Sequence, residues 1–480
     1  MKPSTRRRKF GDCAAVKALA LPLLISALAC SEHAPETPDV EHNASVAWTV
    51  TLAGNGNHRV EGLAADRDGN IFATGTFSGQ LELESGTLEA NSDDVFLGKW
   101  DSQGRLSWLK TFGGEDLDQA HGVAADADGN VYLTGSFSRS IDFGTGLLET
   151  ESHQAVFLAK LSADGEPLWA SSWGTEAFQS ACCVEVGPRG DVVVAGEFVT
   201  TLNVGGDDLV SAGSSDVFVA VFDADGAHLE SKSFGDLATQ RVTGLALDAV
   251  GGISLLGPFQ GVLDFGGEQL TGGTGTSEVL YVANFDAKLA HSWSRNALPP
   301  TEHTEHAHGQ SEHAHSLVVD AKSNLVVHSA YGLGQKPGGN DFSAPTSQHG
   351  LLMQFSRQGD RTLSLGLGSM GTQDEGAVAL DSLGHRWVAT SFLEGMDVEG
   401  TGELGSAGGR DIALVELDPQ STVLRLLRYG ERSRSEIAWD MLVSDEAVTV
   451  GGWTRGLDEF GRDRALIVRF SKQAEADARQ

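Results

Sequence analysis

The sequence predicts an all-β fold, a seven-bladed β-propeller made of four-stranded antiparallel blades. Three observations predict it: a motif recurs about every sixty residues, each copy holds four strand-like runs, and the last copy lacks one strand. Sixty glycines against five methionines in 480 residues also favour turns and strands over helices.

The repeat is marked by a glycine or other small residue followed two positions later by an aromatic residue. Successive copies lie 60, 61, 61, 72, 61 and 61 residues apart. A constant period with one longer step indicates seven copies and a single insertion. The seven motifs are Gly75-Thr76-Phe77, Gly135-Ser136-Phe137, Gly196-Glu197-Phe198, Gly257-Pro258-Phe259, Ser329-Ala330-Tyr331, Thr390-Ser391-Phe392 and Gly451-Gly452-Trp453.

Copy two shows the strands within a repeat. Its first two runs, GVAAD and VYLTG, flank the turn Ala127–Asn130, whose Asp-Gly-Asn residues suit a tight hairpin. The third run, VFLAKLS, is followed by the turn Ala163–Gly165 and a fourth run around Trp169. Short apolar runs separated by turn residues predict a four-stranded antiparallel sheet in each copy.

The two ends of the repeat region predict a closed ring. Copy seven stops after its third run, ALIVRFS, while an unmatched run, Ser45–Val50, precedes copy one. Trp48 precedes Trp108 by the repeat period, so Ser45–Val50 corresponds to a fourth strand. We expect this N-terminal strand to complete the last blade, which would remove the exposed sheet edges.

Small residues are expected where the first strands line the crowded centre. The next position is large and apolar in each copy, so neighbouring sheets can nest. Cys183 occupies the small position of copy three, next to Cys182. Neighbouring strand residues point to opposite faces, so two buried thiols are predicted, with a redox-active pair as the alternative. The small residues are Gly62, Gly122, Cys183, Gly244, Ser316, Ala377 and Ala438.

The repeat resembles the bacterial SBBP-type β-propeller repeat across about residues 44–473. The resemblance is carried by Asp126 to Phe137, Asp216 to Gly226, Phe265-Gly266-Gly267 and Trp173-Gly174. It implies a secreted or cell-surface propeller and does not imply a chemistry.

The N-terminus is typical of an exported lipoprotein. Basic residues precede a short apolar run in residues 1–29, as in a signal peptide, and the run is too short to span a bilayer. Ala27-Leu28-Ala29-Cys30 resembles a lipobox, which implies an acylated Cys30. Residues 30–43 would then form a flexible tether, and residues 474–480 a polar tail. We expect a lipid anchor in the cell envelope, on the outer membrane or cell surface, as the protein's attachment to a membrane.

The charge of the chain narrows the classes of partner. Thirty-four basic and 66 acidic residues give a net charge of −32, which repels phosphate backbones and attracts cations. Nucleic-acid binding is therefore not expected. The sequence predicts a monomer that meets a protein or glycan at the cell surface.

The insertion at about 300–315 is the candidate metal site. Its imidazoles stand among Glu302, Glu305 and Glu312, and such ligands suit zinc, nickel or copper. The alternative is a solvated connector without a specific role. The candidate ligands are His303, His306, His308, His313 and His315.

These features favour a binding or scaffold function. The Asp-x-Asp-Gly-Asn turns are explained by hairpin chemistry rather than by calcium, and the chain contains no Gly-x-Ser-x-Gly or His-Glu-x-x-His motif. We predict a non-catalytic cell-envelope lipoprotein without catalytic residues or an assigned cofactor. The alternatives are an enzyme whose site is assembled from several blades at a channel mouth and metal capture by the histidine-rich loop.

Overall fold

The computed structural model describes residues 39–41, 44–151, 153–175, 177–273, 278–297, 316–331, 349–368, 373–398, 401–456 and 461–472. Within these ranges the chain forms strands and connecting turns, with no helix long and apolar enough to cross a membrane. The predicted all-β class and the four-stranded antiparallel organisation are confirmed. The signal peptide, Cys30 and residues 474–480 lie outside these ranges.

In the described part of the chain the long strands form seven antiparallel quartets, numbered 1 to 7 in chain order. Quartet 1 comprises His58–Ala65, Ile71–Leu83, Gly86–Trp100 and Leu106–Phe112; quartet 2, Asp118–Ala125, Val131–Phe137, Ala155–Leu161 and Pro167–Trp173; quartet 3, Gln179–Val186, Val192–Phe198, Asp216–Phe222 and His228–Phe234. Quartet 4 comprises Gly244–Leu247, Ile253–Phe259, Val279–Phe285 and His291–Asn296; quartet 5, Ser316–Val319, Leu325–Tyr331, His349–Phe355 and Arg361–Gly366. Quartet 6 comprises Gln373–Leu380, Arg386–Phe392, Asp411–Leu417 and Val423–Tyr429; quartet 7, Arg434–Val443, Ala447–Gly456, Asp463–Ser471 and Val46–Gly54.

Short strands supplement the quartets. Among the residues that the structure describes, four two-stranded ribbons connect second and third strands. Asp39–Glu41, at the end of the predicted tether, pairs in parallel with Val423–Tyr429 of quartet 6. The ribbons pair Ser140–Asp142 with Leu147–Glu149, Thr201–Leu202 with Leu209–Val210, Val262–Leu263 with Leu270–Thr271, and Gly395–Asp397 with Glu403–Gly405.

The hairpin between the first two strands of quartet 1 shows why the Asp-Gly-Asn sequence recurs. Asp66 Oδ1 accepts the backbone N–H groups of Asp68 at 3.0 Å and Asn70 at 2.9 Å. Gly69 has a φ of 76°, a conformation that favours glycine. The other carboxylate oxygen of Asp66 accepts from the Asn70 side chain and lies 3.1 Å from Lys99 Nζ. Turn formation therefore accounts for these residues.

The N-terminal strand pairs with the last strand of the chain, as the sequence predicts. Val46–Gly54 runs antiparallel to Asp463–Ser471, with Trp48 opposite Arg469. At its C-terminal end Ala53 and Gly54 also pair with quartet 1, which joins quartets 7 and 1 into one eight-stranded sheet. The first strand of each quartet contacts the first strand of the next, and that of quartet 7 contacts that of quartet 1.

Apolar side chains fill the space between neighbouring quartets. Phe72 of quartet 1 packs in one cluster with Val131 and Phe157 of quartet 2, and none of the three is exposed. Burying one such side chain contributes about 1.5–3 kcal/mol. Because both faces of the sheets are covered in this way, most residues of the second and third strands are buried.

The register of quartet 7 corrects the sequence alignment of its first strand. In quartet 1, Val60 pairs with Gly75 and Gly62 with Thr74, which leaves Glu61 as a bulge. In quartet 7, Ala438 pairs with Gly452 and Asp440 with Gly451, with Trp439 between them. Asp440, and not Ala438, therefore occupies the position of Gly62. The position moves by two residues because Gly452, rather than Gly451, takes the place of Gly75, and because the Ser444–Ala447 turn is one residue shorter than the Asp66–Asn70 turn.

The prediction of two free thiols is also wrong, because Cys182 and Cys183 form a disulfide. The register shifts between Ala181 and Cys183, so a bulge interrupts the strand at Cys182. The usual alternation of side chains no longer applies at a bulge, so adjacent side chains can meet there.

Candidate functional site

Charged side chains from several quartets meet at one end of the sheets. This end, called the near end below, is where the first strand of each quartet begins and the second strand ends. The residues form a continuous series across quartets 1 to 4, called the charged arc. Its members are Arg59, Glu61, Asp93, His121, Glu197, Arg241 and Glu278.

The centre of the charged arc is a contact between two bulged residues, a carboxylate and an imidazole. Glu61 and His121 occupy equivalent bulges in quartets 1 and 2. The Glu61 Oε2 atom lies 3.4 Å from His121 Nδ1, and the Thr76 hydroxyl donates a 3.5 Å hydrogen bond to the same oxygen. The side chains are 15% and 30% exposed, so both remain accessible to a ligand.

Quartets 3 and 4 extend the charged arc. Arg241 Nη2 lies 2.6 Å from the Glu278 carboxylate, and the Ser215 hydroxyl donates a 2.9 Å hydrogen bond to Glu197. Burial raises the pKa of Glu197, although the Ser215 hydrogen bond and the charge of Arg241 oppose the rise. The charges of Glu278 and His121 also act on Glu197, which places all these groups in one electrostatic neighbourhood.

Quartet 7 adds aromatic rings beside the arc. Arg59 binds Asp463 at 2.6 Å, and its guanidinium carbon lies 4.8 Å from the ring centre of Trp453. The Trp453 ring is 5.4 Å from that of Trp439, a half-buried bulge residue. Aromatic faces next to carboxylates favour cationic groups.

The fourth acidic member of the arc is Asp93. Burial and the negative charge of Glu61 raise the pKa of Asp93, whereas Arg59 lowers it. Four carboxyl groups thus share the arc with two guanidinium groups, and the excess of acid suits a basic ligand.

Two carboxyl groups lie deeper, between the first strands. Glu185 lies two residues after Cys183 in quartet 3. The equivalent position in quartet 1, two residues after Gly62, is occupied by Ala64. Burial raises the pKa of Glu185 to about 7, and the charge of Asp440 adds to the rise. Burial also raises the pKa of Asp440 to about 6, although hydrogen bonds from the backbone N–H groups of Leu63 and Met441 oppose the rise.

At the opposite, far end, Asp381, His385 and Glu416 lie close enough to resemble a metal-binding group. Their carboxylates are already paired, because Lys472 Nζ lies 2.9 Å from Asp381 and Arg425 Nε 2.5 Å from Glu416. Burial would raise the pKa of Asp381, but the Lys472 and His385 hydrogen bonds outweigh it and lower that pKa. Asp381 and His385 hold the same turn positions in quartet 6 that Asp66 and Asn70 hold in quartet 1. The positive charges of Lys472 and Arg425 disfavour a bound metal ion.

The residues predicted as sites lie outside the described parts of the chain. This holds for the lipidation residue Cys30 and for the five predicted metal ligands. The sequence analysis did not single out the charged arc. The signal that could have found it is Glu61 and His121, which directly precede Gly62 and Gly122. The predicted ligands are His303, His306, His308, His313 and His315.

The groups of the charged arc are held in place by their neighbours. The imidazole of His121 lies against the carboxylate of Glu61, at 3.4 Å. The carboxylates of the arc are held by neighbouring donors, so their positions are defined before a ligand arrives.

Comparisons with known proteins give distant matches. No known family profile matches the chain. An uncharacterized WD repeat-containing protein of Acanthamoeba polyphaga mimivirus is 28% identical over 154 residues, which is 28% of this chain and 11% of that protein. The chain thus matches about a tenth of the length of this relative.

Solved structures resemble the chain only distantly. The polysaccharide lyase Uly1 is 9% identical, with a TM-score of 0.45, over 86% of this chain and 90% of the lyase. A puromycin hydrolase is 13% identical, with a TM-score of 0.44, over 88% of this chain and 56% of the hydrolase. The parainfluenza virus 5 hemagglutinin-neuraminidase ectodomain is 8% identical, with a TM-score of 0.36, over 90% of this chain and 85% of the ectodomain. Similarity at this level carries no functional argument.

Proposed function

We propose that the chain is a seven-bladed β-propeller lipoprotein that binds a basic ligand at the charged arc. The proposal of a closed ring is supported by two features: Val46–Gly54 pairs with Asp463–Ser471, and the first strands contact one another in sequence. Each quartet then corresponds to one blade, and the near end to one mouth of the central channel.

The proposed location is the cell envelope, with Cys30 as the lipid anchor. This part of the proposal rests on the short apolar run, the lipobox-like sequence and the SBBP-type repeat. Mass spectrometry of the mature N-terminus should show cleavage before Cys30 and acylation of its thiol. An unmodified Cys30, or cleavage elsewhere, would contradict the anchor without affecting the ligand.

The charged arc is the observation on which the binding proposal depends. Its carboxylates are half-buried and held by Thr76, Ser215 and Arg241, beside the indole rings of quartet 7. Fixed carboxylates next to aromatic faces recognise ammonium and guanidinium groups, as on the lysine- or arginine-rich surface of a partner protein.

Binding of a fluorescent oligolysine peptide, followed by anisotropy, tests the proposal. The double variant Glu61→Gln/Glu278→Gln should weaken binding about tenfold, or about 1.4 kcal/mol, because two held carboxylates are lost. The control variant Asp128→Asn/Asp225→Asn removes the same charge from two exposed turns at the far end. Equal affinity of both variants would mean that net charge alone attracts the peptide, and the arc would be rejected as the site.

A further inference from the structure

The disulfide between Cys182 and Cys183 belongs to the near end. Cys182 is the bulged residue of quartet 3, in the position that Glu61 and His121 occupy in quartets 1 and 2. A Cβ atom on Gly122 would lie 3.2 Å from both the Cys182 carbonyl oxygen and Cys183 Cα. The backbone of the two cysteines therefore packs directly against quartet 2. Both cysteines are half-buried rather than enclosed.

This disulfide is not explained by a need for stability. A cross-link stabilises a fold by restricting the unfolded chain, and its effect grows with the length of the loop that it closes. A bond between adjacent residues closes no intervening loop, so the unfolded chain loses almost no freedom. The bulge itself does not need the bond either, because quartets 1 and 2 have the same bulge without cysteine.

The surroundings can also accommodate the reduced form. The Cys182 Sγ atom lies 3.5 Å from the carbonyl oxygen of Ala195. A disulfide sulfur carries no proton, but a thiol at this position could donate a hydrogen bond to that oxygen. The hydrophobic cluster between quartets 3 and 4 contacts both cysteines and tolerates small thiols as it tolerates the disulfide.

We propose that Cys182 and Cys183 form a thiol–disulfide exchange site whose co-substrate is a dithiol. A thiolate of the dithiol attacks one sulfur of the pair, the Cys182–Cys183 bond breaks, and a mixed disulfide forms. The second thiol of the dithiol then displaces the remaining cysteine, which yields two protein thiols and an oxidised, cyclic dithiol. Two electrons and two protons pass to the protein, and the reverse reaction restores the disulfide.

Native-state thiol labelling tests this proposal. The folded full-length protein is incubated with or without dithiothreitol and then treated with iodoacetamide. Tryptic digestion places both cysteines in the peptide Leu161–Arg189, separate from other cysteines. We expect no labelled Leu161–Arg189 without dithiothreitol and two labels per peptide with it, while near-ultraviolet circular dichroism and the melting temperature stay unchanged.

Three outcomes would overturn the proposal. Labelling of Leu161–Arg189 without a reductant would mean that the disulfide does not form, and labelling only in urea would mean that the bond is a closed structural one. The variant Cys182→Ala/Cys183→Ala should melt like the reduced protein, and a large loss of stability would likewise indicate a structural bond. These readouts need no ligand, so they are independent of oligolysine binding at the charged arc.

Discussion

The carboxylate of Asp440 accepts a 2.7 Å hydrogen bond from the backbone N–H of Leu63, across the junction between quartets 7 and 1. The same contact recurs between quartets 5 and 6, where the Ser316 hydroxyl accepts the N–H of Val378 at 3.2 Å. Glycine holds this position in quartets 1 and 2, where the neighbouring strand is close: a Cβ on Gly122 would lie 3.0 Å from the backbone nitrogen of Val184. Asp440 thus joins the two ends of the repeat region.

We expect Asp440→Ala to destabilise the protein by about 1–3 kcal/mol, because the N–H of Leu63 would lose its acceptor in a mostly buried place. Asp440→Asn keeps an acceptor oxygen and should lose less. Urea unfolding of both variants at neutral pH measures the difference. The exposed substitution Asp128→Asn is the control, and an equal effect of all three would exclude a specific role for this hydrogen bond.

Stability should rise as the pH falls from about 8 to about 5.5. Burial raises the pKa values of Glu185 and Asp118 to about 7 and that of Asp94 to about 6. Such groups contribute stability that is fully present below their unfolded pKa, near 4, and lost as the pH rises through the folded pKa. Thermal unfolding in a pH series should therefore give a higher melting temperature at pH 5.5 than at pH 8.

Buried histidines oppose this trend at lower pH. Burial lowers the pKa values of His58 and His328 to about 4, so their contribution is present above 6.5 and lost as the pH falls through 4. The variant Glu185→Gln removes one of these titrating carboxyl groups. It should be more stable than the unchanged protein at pH 8, and its melting temperature should rise less between pH 8 and pH 5.5. An unchanged slope in this variant would mean that Glu185 does not titrate in that range.

Deleting residues 44–54 should abolish cooperative unfolding or cause aggregation. The deletion removes Leu52 from the core, the Trp48 indole hydrogen bond to the Ser102 carbonyl at 3.0 Å, and the partner of Asp463–Ser471. Calorimetry and size-exclusion chromatography measure the effect. Deletion of residues 474–480 is the control for trimming a terminus. A soluble 44–54 deletion with wild-type melting would show that this strand is dispensable.

The histidine-rich loop is expected to bind zinc, nickel or copper weakly, aided by the negative charge of the protein. Zinc titrated by calorimetry at pH 7.5 should release or absorb more heat with the intact chain than with a variant lacking residues 302–315. The difference should fade toward pH 6, because protonated imidazole does not bind metal. Identical heats from both proteins would leave the loop as a connector.

The repeat, the four strands of each copy and the pairing of Ser45–Val50 with the last strand were predictable because they depend on local signals. Alternating apolar residues and turns such as Asp66–Asn70 specify strands and hairpins whatever surrounds them. Counting repeats from both ends then identified the missing strand.

Tertiary structure alone decided the features that depend on a bulge or on contacts between distant residues. The pairing register of the quartet 7 hairpin placed Asp440 rather than Ala438 beside Leu63, and a bulge in quartet 3 brought Cys182 and Cys183 together. Glu61 and His121 likewise meet because two separate strands are bulged at the same level. The sequence records each of these residues but not the register between strands, and that register is set by how neighbouring sheets pack.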